Sequence, residues 1–182
     1  MGWTIEQKNT SREKIISSAA ELFTKQGFDN VAINDVMKHA GLTRGAFYNH
    51  FNSKSELYAE AIVRAAKLAQ KHTLEQSGFK LADIIEIYLS DKHRQGEFSC
   101  PLAFLTTDIH QRDNNVRSTY TRVLKGFIDN IHEFNEHGMA LNENEAIKKA
   151  VLMIGGIAIA RAINDDEFSE RLLNACREGV NA

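Results

Sequence analysis

Apolar residues recur along this chain at the three- and four-residue spacing of helices almost from one end to the other. The first run carries Ile15, Ile16, Ala19, Leu22 and Phe23 on one face. Thr10-Ser11-Arg12-Glu13 reads as a capping box that opens this helix, and Gly27 closes it. Phe28 and Val31 lead into a shorter helix with Ile33, Val36, Met37 and Ala40 at helical spacing. Gly41 follows, where a left-handed residue can end one helix and begin a tight turn. Thr43 is placed to cap the next helix, about seven or eight residues long, which sets Phe47 and Phe51 four apart. Ser53-Lys54-Ser55-Glu56 reads as a second capping box. It opens a long helix through Leu57, Ala61, Ile62, Ala65, Leu68 and Ala69 to about Leu74, with Glu75 to Gly78 as its end.

The same spacing continues. Leu81, Ile84, Ile85, Tyr88 and Leu89 make an amphipathic helix, and His93 to Glu97 is polar and reads as a loop. Pro101 suits the first turn of a helix running through Phe104, Leu105 and Ile109 to His110. After the break at Asp113 to Asn115 comes a long helix with Val116, Tyr120, Val123, Leu124, Phe127, Ile131 and Phe134, ending at Gly138. Asn142 to Glu145 cap a further helix, nearly all apolar from Val151 to Ala160, so it is buried on more than one side. Gly155 and Gly156 each cost about 1 kcal/mol against alanine inside a helix, which close helix–helix approach would justify. Asp165 to Glu167 start a last helix holding Phe168, Leu172, Leu173 and Cys176. The pattern predicts an all-α chain of about nine helices.

Composition narrows the class. With 182 residues, 43% of them hydrophobic and 25% charged, the chain can build a sizeable core in one or two small domains. Cys100 and Cys176 lie far apart, without disulfide or metal-knuckle spacing. The start Met1-Gly2-Trp3-Thr4 has no signal pattern and no apolar run reaches membrane-spanning length, so a cytoplasmic protein without a membrane partner is expected. The net charge of −2 does not by itself point to nucleic acid. Its distribution says more. Up to Lys54 there are 7 Lys and Arg against 5 acids, and beyond it 15 against 19.

The stretch Gly41 to Lys54 concentrates the chemistry. Phe47 and Phe51 give the Thr43-capped helix one apolar side, while Arg44, Gly45, Tyr48 and Asn49 occupy the other. A guanidinium, a phenol and an amide with no acid among them suit phosphates and base edges. The amides of the helix start favour an anion as well. A helix, a glycine turn and a second capped helix is the bihelical unit that reads DNA. The alternative is an ordinary helical hairpin. Lys8 and Arg12 could extend the basic surface from the polar segment Met1 to Asn9, which otherwise reads as a solvated tail.

The run Val36-x-x-x-Ala40-Gly41-Leu42-Thr43-x-Gly45-x-Phe47-Tyr48-x-His50-Phe51-x-Ser53-Lys54-x-x-Leu57 resembles the signature of the TetR family of transcriptional repressors. The resemblance implies a three-helix DNA-binding head over residues 9–69 and a larger helical regulatory and dimerisation body over 70–182. It implies DNA contacts from Thr43, Arg44, Gly45, Tyr48, Asn49, His50 and Lys54, the last as a phosphate clamp at the start of the long helix. It implies a homodimer built on the last two long helices, to which Ile154, Gly155, Ala158, Ala162, Phe168 and Leu172 are assigned. The partners expected are a near-palindromic duplex operator and a small-molecule inducer, with no cofactor and no metal. Leu68, Tyr88, Phe104, Ile109, Tyr120 and Phe127 are the candidates for an apolar pocket, though each reads equally well as core. Where the family usually caps the first helix of the pair with Ser or Thr, this chain has Ala32. Cys100-Pro101-Leu102, Asp113 to Arg117 and Ala158-x-Ala160-Arg161-Ala162 resemble regulatory domains in one branch of the same family.

Other classes find less in the residues. An enzyme would need Cys100 as nucleophile with His93 or His110 as base, and no motif ties either histidine to it. His132 and His137 are five apart and share no helix face. A helical protein-interaction module has only the apolar C-terminal helices in its favour, and an absence of sequence-selective DNA binding would mark it.

Overall fold

A computed structural model describes residues 5–78, 80–98, 100–133 and 142–181. Eleven helices and no strand occur among them, so the class is all-α. They are α1 (Ile5–Gln26), α2 (Ile33–His39), α3 (Arg44–Phe47), α4 (Lys54–Ser77), α5 (Leu81–Tyr88), α6 (Asp91–Gln95), α7 (Pro101–Phe104), α8 (Thr106–Ile109), α9 (Asn114–Glu133), α10 (Glu143–Ala162) and α11 (Asp166–Asn181). Two differences raise the count above nine. The polar segment expected as a loop forms α6, because Ser90 Oγ accepts the His93 amide and Gly96, at φ +87°, ends the turn. The helix expected from Pro101 to His110 breaks at Leu105 into α7 and α8.

Helix ends also moved. The first helix is already formed at Ile5, so Thr10-Ser11-Arg12-Glu13 lies inside it and caps nothing. Ser11 is buried, its hydroxyl donating to the Lys8 carbonyl. At α4, Ser53 Oγ does accept the Glu56 amide, but the Glu56 carboxylate takes the Asn52 amide in place of Ser53's own. That helix runs on to Ser77 before Gly78 turns left-handed. Asn142 caps α10 as expected, through its side-chain oxygen and the Glu145 amide. Phe134 and Gly138, assigned above to the end of the α9 helix, and His137, weighed with His132 as a metal ligand, lie outside the described residues.

Two cores result. One joins α1 to α4 around Phe23, Phe47, Phe51, Leu57 and Tyr58, all essentially unexposed, and reaches Leu105, Ile109 and Val116. The other joins α5, α7, α10 and α11 around Leu89, Met153, Ile157 and Leu173. Tyr120 and Val123 of α9 pack against both. The ends of the cores meet at a polar corner where the α1–α2 turn and α4 touch the α8–α9 region. Arg112 forks onto Asp29 at 3.0 and 2.7 Å and approaches Asp108 at 3.1 Å. Tyr58 donates to Asp108 at 2.6 Å, and Ser55 donates to Asp113. A bidentate guanidinium–carboxylate pair holds orientation as well as charge.

The two glycines of α10 do different work. A Cβ at Gly156 would stand 2.9 Å from Cys176 Sγ and 3.2 Å from Leu89 Cδ2, so this position serves the chain's own packing. At Gly155 nothing lies within 4 Å. Gly156→Ala should therefore overpack the α10–α11 contact at about 1–3 kcal/mol, of which helix propensity returns about 1 kcal/mol. Urea unfolding should show a net loss of stability that Cys176→Ala in the same chain reverses.

His93 is fully buried, stacked on Phe98 with centroids 4.2 Å apart, its Nδ1 2.6 Å from the Tyr88 carbonyl. Burial above all lowers its pKa from 6.5 to about 4, the Tyr88 bond opposing and Arg161 and His72 adding to the fall. The folded chain thus binds fewer protons at this ring than the unfolded chain. Its contribution to stability is complete above pH 6.5 and is lost as pH falls towards 4. Unfolding free energy should drop by on the order of 3 kcal/mol across that window, at about 1.4 kcal/mol per unit. His93→Gln should flatten the slope.

Candidate nucleic-acid interface

The turn between α2 and α3 shapes the exposed face. Gly41 sits at φ +68°, its amide on the Lys38 carbonyl, and the Leu42 amide reaches back to Met37 at 2.9 Å. This double closure is the way a left-handed residue ends a helix. The following helix is shorter than expected. Only Arg44–Phe47 is helical, after which the Asn49 and His50 amides bond three residues back, to Ala46 and Phe47. Thr43 stands at the N-cap with extended backbone, yet its hydroxyl makes no cap bond. It is exposed and free to meet another acceptor or donor.

Four residues cannot persist as a helix alone. Docking holds these. Phe47 and Phe51 are buried with ring centroids 5.6 Å apart, and Val36 and Met37 close the pocket from α2. Tyr48 packs its ring edge-on to Phe47, at 5.2 Å and 89°, and still remains 60% exposed. Thr43, Arg44, Gly45, Tyr48 and Asn49 are all exposed together. Around Gly45 a Cβ would meet nothing within 4 Å, so no packing among the described residues needs the missing side chain.

The other two residues assigned to the face lie differently. His50 is half-buried, its Nε2 2.9 Å from Ser11 Oγ, and burial followed by Lys8 and Arg12 lowers its pKa. It ties the reading unit to α1. Lys54 lays its ammonium 4.1 Å from the Phe28 ring centroid, with Asp29 among its charged neighbours. Burial lowers its pKa, and Asp29 only partly offsets this. Arg12 pairs with Glu60 and lies 5.0 Å over the Phe51 ring, so it braces the head. Sequence spacing carried no signal for these three links, because each joins residues 26 or more positions apart.

Ala32 occupies the N-cap of α2 without a side-chain bond, and Asp35 compensates by accepting the Ala32 amide at 2.9 Å.

Behind the head lies a cavity of about 360 Å³ between α4, α5, α7 and α9. Tyr88 and Phe127 line it, as expected. Leu68 is half exposed to solvent, Ile109 belongs to the head core, Phe104 packs under Arg161, and Tyr120 donates to the Leu102 carbonyl. None of these four lines it. Ile84, Phe98, Leu102, Val123 and Ile131 do. Ile84 with Tyr88, and Val123 with Phe127 and Ile131, show the four-residue spacing that could have nominated them. Cys100 also borders the cavity, but its thiol meets Tyr88 Oη at 3.2 Å and neither histidine. Burial raises its pKa, against the needs of a nucleophile. Among the described residues no cluster of three or more His, Cys, Asp or Glu could hold a metal, and no helix is long and apolar enough to cross a membrane.

The family described as bacterial regulatory proteins, tetR family, matches residues 15–61, the span from α1 through the reading unit into α4. The helix-turn-helix regulator YxaF of Bacillus subtilis (strain 168), itself uncharacterised, is 29% identical over 129 residues, 66% of this chain and 67% of YxaF. The helix-turn-helix transcriptional repressor BepR of Brucella suis biovar 1 (strain 1330) is 23% identical over 166 residues, 80% of this chain and 78% of BepR. Other curated regulators are matched over less than two thirds of their own length. In fold, the chain is similar to a TetR-family regulator from Cytophaga hutchinsonii, with a TM-score of 0.76 at 18% identity, covering 98% of this chain and 97% of that one.

The missing cap at Ala32 is open to test. Ala32→Ser should raise the unfolding free energy by about 1 kcal/mol by giving the Asp35 amide a side-chain acceptor, read by thermal or urea denaturation.

Proposed function

We propose that this chain, a DNA-binding transcriptional regulator of the TetR family, works as a homodimeric repressor that a small, largely apolar ligand releases from a palindromic operator. The observation that carries the DNA-reading role is the exposed, acid-free face of Thr43, Arg44, Gly45, Tyr48 and Asn49 on its phenylalanine mount. Arg44 approaches by charge and Gly45 by lacking a side chain. Tyr48 and Asn49 divide between base edges and backbone. Thr43, with its hydroxyl uncommitted, takes a phosphate. Lys54 joins them as a clamp by leaving the Phe28 ring, while His50 keeps the unit aligned on α1.

The head comprises residues 9–69 and the body 70–182, with α4 common to both. Ile147, Val151 and Ile159 of α10 and Phe168 of α11 are 38–64% exposed. Gly155, Ala158 and Ala162 lie between them along α10, so a stripe of apolar and small residues faces outward. A second copy covers it, with Phe168 at the edge. Ile154 and Leu172 pack mainly into the chain's own core. Dimer symmetry then spaces the heads about one helical turn apart on the duplex. The protein acts in the cytoplasm, where its duplex is.

Ligand entry acts on α4, which lines the cavity with Ala66, Ala69 and Thr73 and begins at Lys54 beside the reading unit. The second route runs from Pro101 and Leu102 through α8 to Asp108 and Arg112, and so to Asp29. A ligand that fits only the spread-head state lowers operator affinity by its difference in affinity for the two states.

A binding titration against duplex flanking the gene tests the reading. Selective binding over scrambled duplex is expected, steeply salt-dependent. Arg44→Ala should weaken it by about 1–3 kcal/mol, and Tyr48→Ala should weaken it too. Equal, weak binding to both duplexes at every salt would sink the repressor reading. Sedimentation of Ile159→Glu should give monomer where the parent gives dimer; an unchanged dimer would place the interface elsewhere.

A further inference from the structure

The cavity carries a charge asymmetry that its apolar walls do not require. Its described lining contains two cations, Lys67 and Arg122, and no carboxylate. Both residues are exposed, and both also line the groove that adjoins the cavity between α1, α4 and α9. They therefore stand where the cavity opens to the surface. The groove does hold acids, but these are committed. Glu60 pairs with Arg12, Glu13 with Arg64, and Glu56 accepts from Asn52. Arg122 makes one long donation, 3.5 Å to Thr119 Oγ1, and no acid among the described residues pairs with it or with Lys67.

We propose that the cavity takes an amphipathic anion. Its apolar body lies among Ile84, Phe98, Leu102, Phe127 and Ile131, and its carboxylate, sulfonate or phosphate sits at the mouth between Lys67 and Arg122. The proposal rests on the cavity being the effector site and narrows that site to a ligand class. Burial of the body is blind to charge. The head group decides, because charge-assisted hydrogen bonds to a guanidinium and an ammonium favour an anion and a like charge is repelled. Long side chains on the rim can bend inwards while their stems stay on the apolar wall.

The full chain is titrated calorimetrically with octanoate, 1-octanol and octylammonium, three probes with one body and three charges. Octanoate should bind on the order of ten-fold tighter than 1-octanol, the scale set by two partly exposed cations a few ångströms away, and octylammonium weakest. The double variant Lys67→Gln/Arg122→Gln, at two exposed positions that leave the cores intact, should bring octanoate down to the level of 1-octanol. Lys67→Glu/Arg122→Glu should turn the preference towards octylammonium. Gly126→Trp, where a Cβ meets nothing within 4 Å, should block the mouth to all three. Octanoate no tighter than 1-octanol, a preference unmoved by the double variant, or no octanoate binding at all overturns the proposal. Octanoate that binds with the expected preference but leaves the operator complex intact keeps the anion site and overturns its role as effector site.

Discussion

A helix of four residues cannot hold its own shape in water, so the presentation of Thr43 to Asn49 depends on the burial of Phe47 and Phe51. Those two rings convert a weak local preference into a fixed surface. The surrounding interactions serve the same mount: α2 supplies Val36 and Met37, α1 supplies the Ser11–His50 bond, and Arg12 closes over Phe51 while paired to Glu60. Groups that look like DNA ligands by charge are thus partly employed in bracing. Arg12 and His50 point their chemistry inward, and the outward face keeps Thr43, Arg44, Asn49 and a Tyr48 that also leans edge-on against Phe47.

The same economy governs the link from head to body. The long helix α4 begins under the reading unit and ends on the cavity wall, so one rigid element touches both. A second contact closes the corner, where Arg112 forks onto Asp29 with its side chain only 9% exposed. The two-pronged fork makes that pair directional, although the Asp29 carboxylate itself stays open to solvent. Two connections of different kinds, one a helix and one a salt bridge, therefore join the cavity to the head. The cavity is also lined by Lys67 and Arg122, with which no acid among the described residues pairs.

The helical pattern carried most of the fold. Apolar spacing located α1, α2, α4, α5, α9, α10 and α11, and the Gly41 turn and the exposed set around Arg44 and Tyr48 were legible from adjacent residues. What escaped was of one kind. The helix α6 was polar and short, and its stability comes from the Ser90 cap and from burying His93 against Phe98. Leu68 looked like a wall residue by spacing, yet points to solvent, while Ile131 and Phe98 line the cavity from helices and turns remote in sequence. Gly155 and Gly156 looked alike, and the positions of Cys176 and Leu89 separate them.

Local spacing settled that the chain is all helix, that a glycine turn joins two short helices, and that one face of that pair is apolar and the other polar, though the second proved half the length expected. These are properties of spacing within a few residues, where the backbone's own periodicity does the selecting. Tertiary packing set which polar groups face outward, which helix ends persist, where the cavity lies and why no acid among the described residues pairs with Lys67 or Arg122. Those outcomes depend on packing and charge between residues far apart in the chain, and periodicity carries no information about such distances.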